Sequence, residues 1–345
     1  MASSSSRSIL IVGGGIVGLS CAAVLLHGGH RVTLIAAAPA SETASGVAAG
    51  MIAPALEAMN EPEPKLAFQR LTAAQAAWLA LEAAWPQALR EDLRAARSRP
   101  SVYAGTPEAL ARLATTGADT TPEGEGRVRV AGDGLVESRA TLDALRAHVA
   151  AQGGRLLTKT ARSVAHDAVT LDDGTRLEAD AVVVAAGYGA RAFAAEVPSL
   201  ACLTPVKGQL LEVAGVGGER GVLRGAGGYW ARYDGYAKFG ATMEAGRDDV
   251  EIDAGTVADL KARAARLAPE ANLDAAVARA GVRAATPDGW PLIGRDAASG
   301  VLIASGMRRN GYVFAPLAAR IVLDLIEGRP ADATYDPNRF ASTLR

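Results

Sequence analysis

SILIVGGGIVGLSCAAVLL, residues 8–26, is the stretch whose reading decides the fold of this chain. Ile9 to Val12 is an aliphatic run of buried-strand type, and the Ala/Leu-rich residues after Gly15 read as a helix. Between them Gly13, Gly15 and Gly18 form GxGxxG. In a dinucleotide site the first glycine makes the tight turn, the second lets backbone approach a pyrophosphate, and the third lets helix and strand pack closely. The helix N-terminus then faces the phosphates. Arg31 to Ile35 reads as the next strand, so the glycines occupy the first turn of a strand–helix–strand unit. A Gly-rich turn without a ligand is the competing reading. The glycines alone allow NAD or FAD and name no reaction.

Composition narrows the class. A chain of 345 residues holds one large core or two domains. Thirty-six basic residues against 37 acidic ones favour neither nucleic acid nor an anionic membrane as partner. The two cysteines, Cys21 and Cys202, suggest neither a disulfide framework nor a metal cluster, and a reducing, cytoplasmic setting fits them. The N-terminal MASSSSRS lacks an apolar signal core and reads as a loose tail. Only Ile9 to Leu26 approaches membrane length. It carries four glycines and breaks at His27-Gly28-Gly29-His30, so no integral membrane segment is expected.

Beyond Ala36, residues 41–54 are small and flexible and start no strand. Pro64 to Ala96 has helical spacing, residues 100–135 read as short strands and turns, and Thr141 to Gln152 as a helix ended by Gly153-Gly154. Ala168 to Leu171, the Asp173-Gly174 turn and Arg176 to Ala179 form a hairpin signal. Ala181 to Gly187 suits a central parallel strand. Strand-type alternation fills Pro205 to Glu244, with a turn at Asp234-Gly235, and a helix follows at Thr256 to Leu267. The chain closes with a strand at Val301 to Ala304, a loop at Ser305 to Gly311 and a helix at Pro316 to Ile326.

Several segments now point one way: GGGIVG, SGVAAGMIAP, VVVAAG followed by TPVKGQ, the hairpin end GATM, and the C-terminal pair RAATPDGWPLIG and GMRRNGYVFAP. In this order they resemble the FAD-dependent D-amino-acid oxidase superfamily, most closely its glycine oxidase branch. The resemblance implies an α/β fold with a Rossmann-like FAD-binding domain (a mixed, largely parallel sheet with helices) and a substrate domain with an antiparallel β-sheet. Residues 1–82, 136–207 and 281–345 would form the first, and 83–135 and 208–280 the second. Noncovalent FAD would meet Gly13, Gly15, Ile16, Val17 and Gly18 at the pyrophosphate, with Ala36 and Ala37 at the ribose end. Ala44, Ser45, Ala49, Gly50 and Met51 would wrap the flavin and ribityl chain, and Arg162 would offer backbone near the adenine. Ala186 and Gly187 follow the central strand. Gly306, Met307, Arg308, Arg309, Asn310, Gly311, Tyr312 and Val313 would run past the pyrimidine edge. Arg283, Arg309, Tyr229, Met51 and Met243 match substrate-side positions, and no side chain is carried over as catalytic.

These residue types suit the chemistry. A guanidinium binds an amino-acid carboxylate through two parallel charge-assisted hydrogen bonds. Arg283 sits before the turn signal Thr286-Pro287-Asp288-Gly289, where an arginine on a strand rim is the plainer reading. Tyr229 could be an ordinary sheet aromatic, and methionines more often fill cores than define sites. Adjacent Arg308 and Arg309 should point to different sides, with motif position favouring Arg309 for the pocket. The histidines His27, His30, His148 and His166 have no metal-ligand spacing and no nucleophile beside them, so no catalytic histidine is expected. The resemblance implies hydride transfer from the substrate α-carbon to flavin N5, with the protein supplying orientation and electrostatics.

Two positions depart from the pattern. The second strand ends in Ala36-Ala37-Ala38 where an acid should hold the ribose hydroxyls, and the nearest acid is Glu42. Losing that bond weakens FAD binding by roughly 1.5–3 kcal/mol. Met307-Arg308 stands where the branch more often has His and an aromatic. The extra positive charge would favour an acidic substrate or the reduced, anionic flavin. The expected activity is oxidation of glycine, a small amino acid or an N-substituted glycine to the imine, with O2 or a quinone-type acceptor, serving thiazole (thiamine) biosynthesis. A D-amino-acid or D-proline dehydrogenase, a tRNA-modifying oxidoreductase domain and a non-catalytic flavin-binding partner are the alternatives, and a homo-oligomer is left open.

Overall fold

The computed structural model describes residues 5–96 and 98–341, so the first four residues of the expected tail lie outside it. Its first sheet has six strands in the order Leu292–Arg295, Leu302–Ser305, Ala181–Val184, Ser8–Val12, Arg31–Ile35 and Arg155–Leu157. All neighbours are parallel except the first pair. Ser8–Val12 lies in the middle, with Ile9 opposite Val32 on one side and Ala181 on the other. A strand covered on both faces needs a continuous apolar run, and Ile9–Val12 and Ala181–Val184 supply one. The helices Ile16–His27 and Gly311–Ile326 pack against each other through buried small residues, among them Ala22, Ala23, Ala315 and Ala319.

The second sheet has nine strands and is built around Thr204–Ala214. That strand pairs antiparallel with Tyr236–Gly240 on one edge and over nine residues with Val277–Ala285 on the other. Gly228–Arg232, Gly221–Gly225 and Ser101–Ala104 continue it outward. The expected domain boundaries at 207/208 and 280/281 fall inside two of these strands. The hairpin at Asp173-Gly174 forms as read, with Gly174 at φ 83°. Among the described residues no helix is long and apolar enough to cross a membrane.

Four local expectations are corrected. Pro64 to Ala96 is not one helical region. It breaks into Pro64–Ala80, a short turn at Glu82–Ala84, and Gln87–Ala96. Pro86 is the cause, since it disfavours helical backbone at Trp85, which is extended at ψ 148°. Met51–Ile52, placed in a strandless loop, pairs with Gly134–Leu135. The helix read from Thr141 starts at Ser138, where the Glu137 carboxylate caps it. The last helix starts at Gly311, not Pro316. A proline inside a helix leaves the carbonyl four residues earlier unpaired. Here that carbonyl, Tyr312 O, accepts the indole N–H of Trp78 at 2.8 Å, which makes the interior proline tolerable.

The glycine loop shows why the third glycine is fixed. A Cβ on Gly18 would lie 2.0 Å from the Gly13 carbonyl oxygen, a backbone atom with no room to yield. Gly18→Ala is therefore expected to lower stability by about 1–3 kcal/mol, measured as a reduced denaturation midpoint; an unchanged midpoint would contradict this packing.

Candidate active site

A cavity of about 520 Å3 opens at the carboxyl ends of the parallel strands. Gly13, Gly15, Ile16 and Val17 form its floor, and Ala36, Ala37 and Glu42 line the end beyond the second strand. The helix Ile16–His27 points its N-terminus here, with no acidic residue in its first turn and no side-chain cap on Gly15. Its Ile16 N–H donates to Ser45 Oγ at 3.1 Å. A Cβ on Gly13 would lie 2.3 Å from Ala185 O, so this backbone is set against the neighbouring strand end. Ala44 and Ser45, Ala186 and Gly187, and Gly306, Met307, Arg308, Arg309, Gly311 and Tyr312 complete the wall. A glycine-lined anion end followed by an elongated, mostly apolar channel fits a dinucleotide such as FAD. The pyrophosphate end is complete, while the ribose end has Glu42 as the acid on its wall.

Some expected cofactor residues sit elsewhere. Lys159, Thr160 and Ala161 line the cavity, whereas Arg162 is exposed and does not. Gly18 lies behind Gly13, and Val313 is buried in the core. Asn310 also lies behind the wall and closes a turn by donating its N–H to Met307 O at 2.8 Å. Ala49, Gly50 and Met51 line an adjoining cavity of about 370 Å3. The two cavities share Ala44, Ala48, Gly281, Arg283, Arg309 and Tyr312, so they meet at that wall.

The adjoining cavity gathers all five substrate-side candidates, Met51, Tyr229, Met243, Arg283 and Arg309. Val277–Ala285 carries Arg283 to the shared wall opposite Val206. Its guanidinium lies over Gly208, where a Cβ would come within 2.1 Å of Nη1. Nη1 donates to Thr242 O at 3.2 Å and lies 3.5 Å from Met243 Sδ, while Nε and Nη2 find no hydrogen-bond partner among the described residues. Among the described residues no carboxylate lies within ion-pair distance of it. Burial draws its pKa below the usual arginine value. Tyr229 is neighboured by Gly240, where a Cβ would sit 3.1 Å from the phenol oxygen, and burial raises its pKa. Met243 is 46% exposed, at the mouth. None of the four histidines lines either cavity.

Arg309 differs from its expected role. It is held by protein carboxylates, donating Nε to Glu57, Nη2 to Glu61 at 2.6 Å, and Nη2 to Glu57 O at 3.0 Å. Arg308 also reaches Glu61, at 3.2 Å, so the adjacent arginines do not diverge. Arg308 adopts φ 48°, the positive-φ case among described non-glycine residues, and this breaks the alternation an extended chain would impose. Glu57 accepts Arg224 Nη1 at 2.7 Å as well. Burial pushes the Glu57 carboxyl up, yet the two arginines outweigh it and bring it to about 2. Nearby Asp133 goes the other way. Burial pushes it up to about 7 although it accepts the N–H groups of Ala55 and Leu56.

The sequence reading missed Glu57, Glu61, Arg224 and Gly208. It also missed Lys238, fully buried on Tyr236–Gly240. Its ammonium donates to the carbonyls of Gly46, Val47 and Ala48 at 3.2, 3.2 and 2.9 Å, and to Ser138 Oγ at 2.8 Å. It thereby clamps the turn Ala44–Val47, which lines both cavities. An inward polar residue in the strand Tyr-Ala-Lys-Phe-Gly was the available signal.

Glu57 makes a pH prediction. Its folded pKa is depressed, so its stabilising contribution is full above the ordinary carboxylate value and is lost as pH falls toward 2. A fall from 4.5 to about 2 corresponds to about 3 kcal/mol. Glu57→Gln is expected to cost about 3–5 kcal/mol at neutral pH, leaving two arginines without their shared anion. It should also flatten the stability profile between pH 4.5 and 2. Denaturation midpoints across that range check both.

Comparison with known proteins follows this geometry. The sequence profile of the family described as FAD dependent oxidoreductase matches residues 8–325. A glycine oxidase from Geobacillus kaustophilus is 29% identical over 380 residues, covering 97% of this chain and 96% of the relative. The crystal structure of glycine oxidase from that organism superposes with a TM-score of 0.81 at 26% identity, over 97% of this chain and 99% of that one. A bifunctional tRNA 5-methylaminomethyl-2-thiouridine biosynthesis protein from Caulobacter sp. is 30% identical over 98% of this chain and 58% of its own length. A D-proline dehydrogenase from Pyrobaculum islandicum is 30% identical over 55% of this chain and 48% of its own. With the glycine loop, the shared wall and the half-buried arginine in place, this chain belongs to the D-amino-acid oxidase family of FAD-dependent oxidoreductases and is an amino-acid oxidoreductase of glycine-oxidase-like type.

Proposed function

We propose that the protein oxidises glycine, a small amino acid or an N-substituted glycine at its α-carbon. One observation supports this above the others. Arg283 has donors without protein partners on the wall common to the cofactor cavity and the adjoining one. A substrate carboxylate placed there would receive paired charge-assisted hydrogen bonds at a desolvated site. Gly208 leaves room for the guanidinium, and Thr242 O fixes its tilt. Tyr229, kept protonated by burial, donates its phenol O–H to the same carboxylate. Bound FAD supplies the hydride acceptor.

The α-carbon gives up a hydride and the amine, neutral at that moment, gives up a proton to solvent, so two electrons leave and an imine remains. Water then adds, and the imine hydrolyses to a 2-oxo acid and ammonia or amine. The apolar wall of Met51, Ala48 and Val47 limits water at the reacting carbon. Dioxygen as final acceptor yields H2O2; a quinone-type acceptor makes the protein a dehydrogenase. We take the oxidase reading, in a cytoplasmic protein that serves thiazole biosynthesis.

Anaerobic mixing with glycine, sarcosine, D-alanine, D-proline and D-aspartate should bleach the flavin with at least one of them, and air should restore its colour. Bleaching without recovery in air identifies a dehydrogenase, and no bleaching with any amine overturns the proposal. Arg283→Met should lower kcat/KM about 100-fold or more, mainly through KM, in steady-state assays. Because Ala36 offers the ribose no charged acceptor, FAD should be retained only weakly, and full occupancy that resists dialysis would contradict this. Ala36→Glu should tighten it about tenfold to a hundredfold, read by titrating the apoprotein with FAD and following fluorescence quenching.

A further inference from the structure

We propose that the preferred substrate carries a second carboxylate, bound by Arg224 at the end of the adjoining cavity away from the cofactor. The proposal rests on the amine-oxidising reading above and specifies its substrate class as amino acids or N-substituted glycines with two carboxylates.

The sheet register places the groups. Arg224 is opposite Tyr229, and Tyr229 is opposite Gly240, so Arg224 and Tyr229 project from the same face of the sheet. Gly240 adds no side chain between Tyr229 and the strand that faces Arg283's own. Arg283 lines both cavities, whereas Arg224 and Arg263 line only the adjoining one. One cavity therefore has an arginine beside the cofactor wall and a second farther out, with a phenol between them.

Arg224 has donors to spare for an anion. Its Nη1 donates to Glu57, and its Nε and Nη2 have no hydrogen-bond partner among the described residues. Glu57 is shared with Arg309, so neither guanidinium has a carboxylate of its own. Five arginines at this site (Arg224, Arg263, Arg283, Arg308 and Arg309) face three carboxylates, those of Glu57, Glu61 and Asp259. Asp133, the other nearby acid, is engaged by the N–H groups of Ala55 and Leu56 and lines neither cavity. Among the described residues the arginines at and beside this cavity thus outnumber the carboxylates paired with them by two, and a substrate with one carboxylate satisfies one of them.

Space agrees with charge. The outer end is lined by Gly225, Ala226, Gly227 and Gly228, the small residues of one turn. A cavity of about 370 Å3 holds ligands much larger than glycine. For iminodiacetate, taken as the probe, the balance is that of the proposed reaction. One methylene loses a hydride to the cofactor, the nitrogen loses a proton, and water cleaves the imine to glyoxylate and glycine.

The FAD-loaded protein is mixed anaerobically with sarcosine, iminodiacetate, D-alanine and D-aspartate, and flavin reduction is followed. The unreactive acids acetate, malonate and succinate are titrated against the oxidised flavin spectrum. The expected result is a kcat/KM at least about tenfold higher for each dicarboxylate than for its monocarboxylate match, with tighter binding of the dianions. In Arg224→Gln that ratio should fall toward one, and Arg224→Lys should restore part of it. If Arg224→Gln does not fold, the wild-type dianion-to-monoanion ratios decide alone. Equal or better reduction by sarcosine and D-alanine, with dianions binding no tighter than acetate, overturns the proposal and leaves the oxidase reading intact. If no amine reduces the flavin, that reading fails, and the dianion titration still decides whether Arg224 forms an anion site.

Discussion

A half-buried guanidinium without a carboxylate to balance it is the demand that organises this molecule. Withdrawing a charge from water is costly, so the surroundings of Arg283 are arranged for it. Nine residue pairs between Thr204–Ala214 and Val277–Ala285 fix where it stands. Gly208 clears the space it occupies, and Thr242 O takes one donor. The acids that could quench it, Glu57 and Glu61, are committed to Arg224, Arg308 and Arg309. An arginine left with open donors beside a dinucleotide-type cavity is the feature on which the proposed carboxylate site rests.

Much of the fold was legible because its signals are local. Ile9–Val12 and Ala181–Val184 are apolar runs that suit only a strand covered on both faces, and both lie central in the parallel sheet. The Asp173-Gly174 hairpin needed nothing beyond its turn residues. The last helix was less legible. Pro316 marks a helix start by every local rule, and the residue that overrules it, Trp78, lies in a different helix.

The site was legible in its motif positions and illegible in its charge network. Arg283, Tyr229, Met51 and Met243 came together as the resemblance implied. Glu57, Glu61 and Arg224 are ordinary charged residues in three separate segments, and nothing in their spacing shows that folding buries them together. Arg309 lines the cavity its motif position implied, and the carboxylates that pair with it, invisible from that motif, lie about 250 residues earlier in the chain. Arg162, expected to offer backbone near the adenine, directly follows Lys159, Thr160 and Ala161 on the cavity wall.

Lys238 ties the two halves of the site together. It belongs to the antiparallel sheet, yet its ammonium holds the turn that lines the cofactor cavity. A load placed on that turn is therefore carried into a strand that does not itself line the cofactor cavity. The antiparallel sheet and the turn beside the cofactor cavity are one mechanical unit, joined at the Lys238 ammonium.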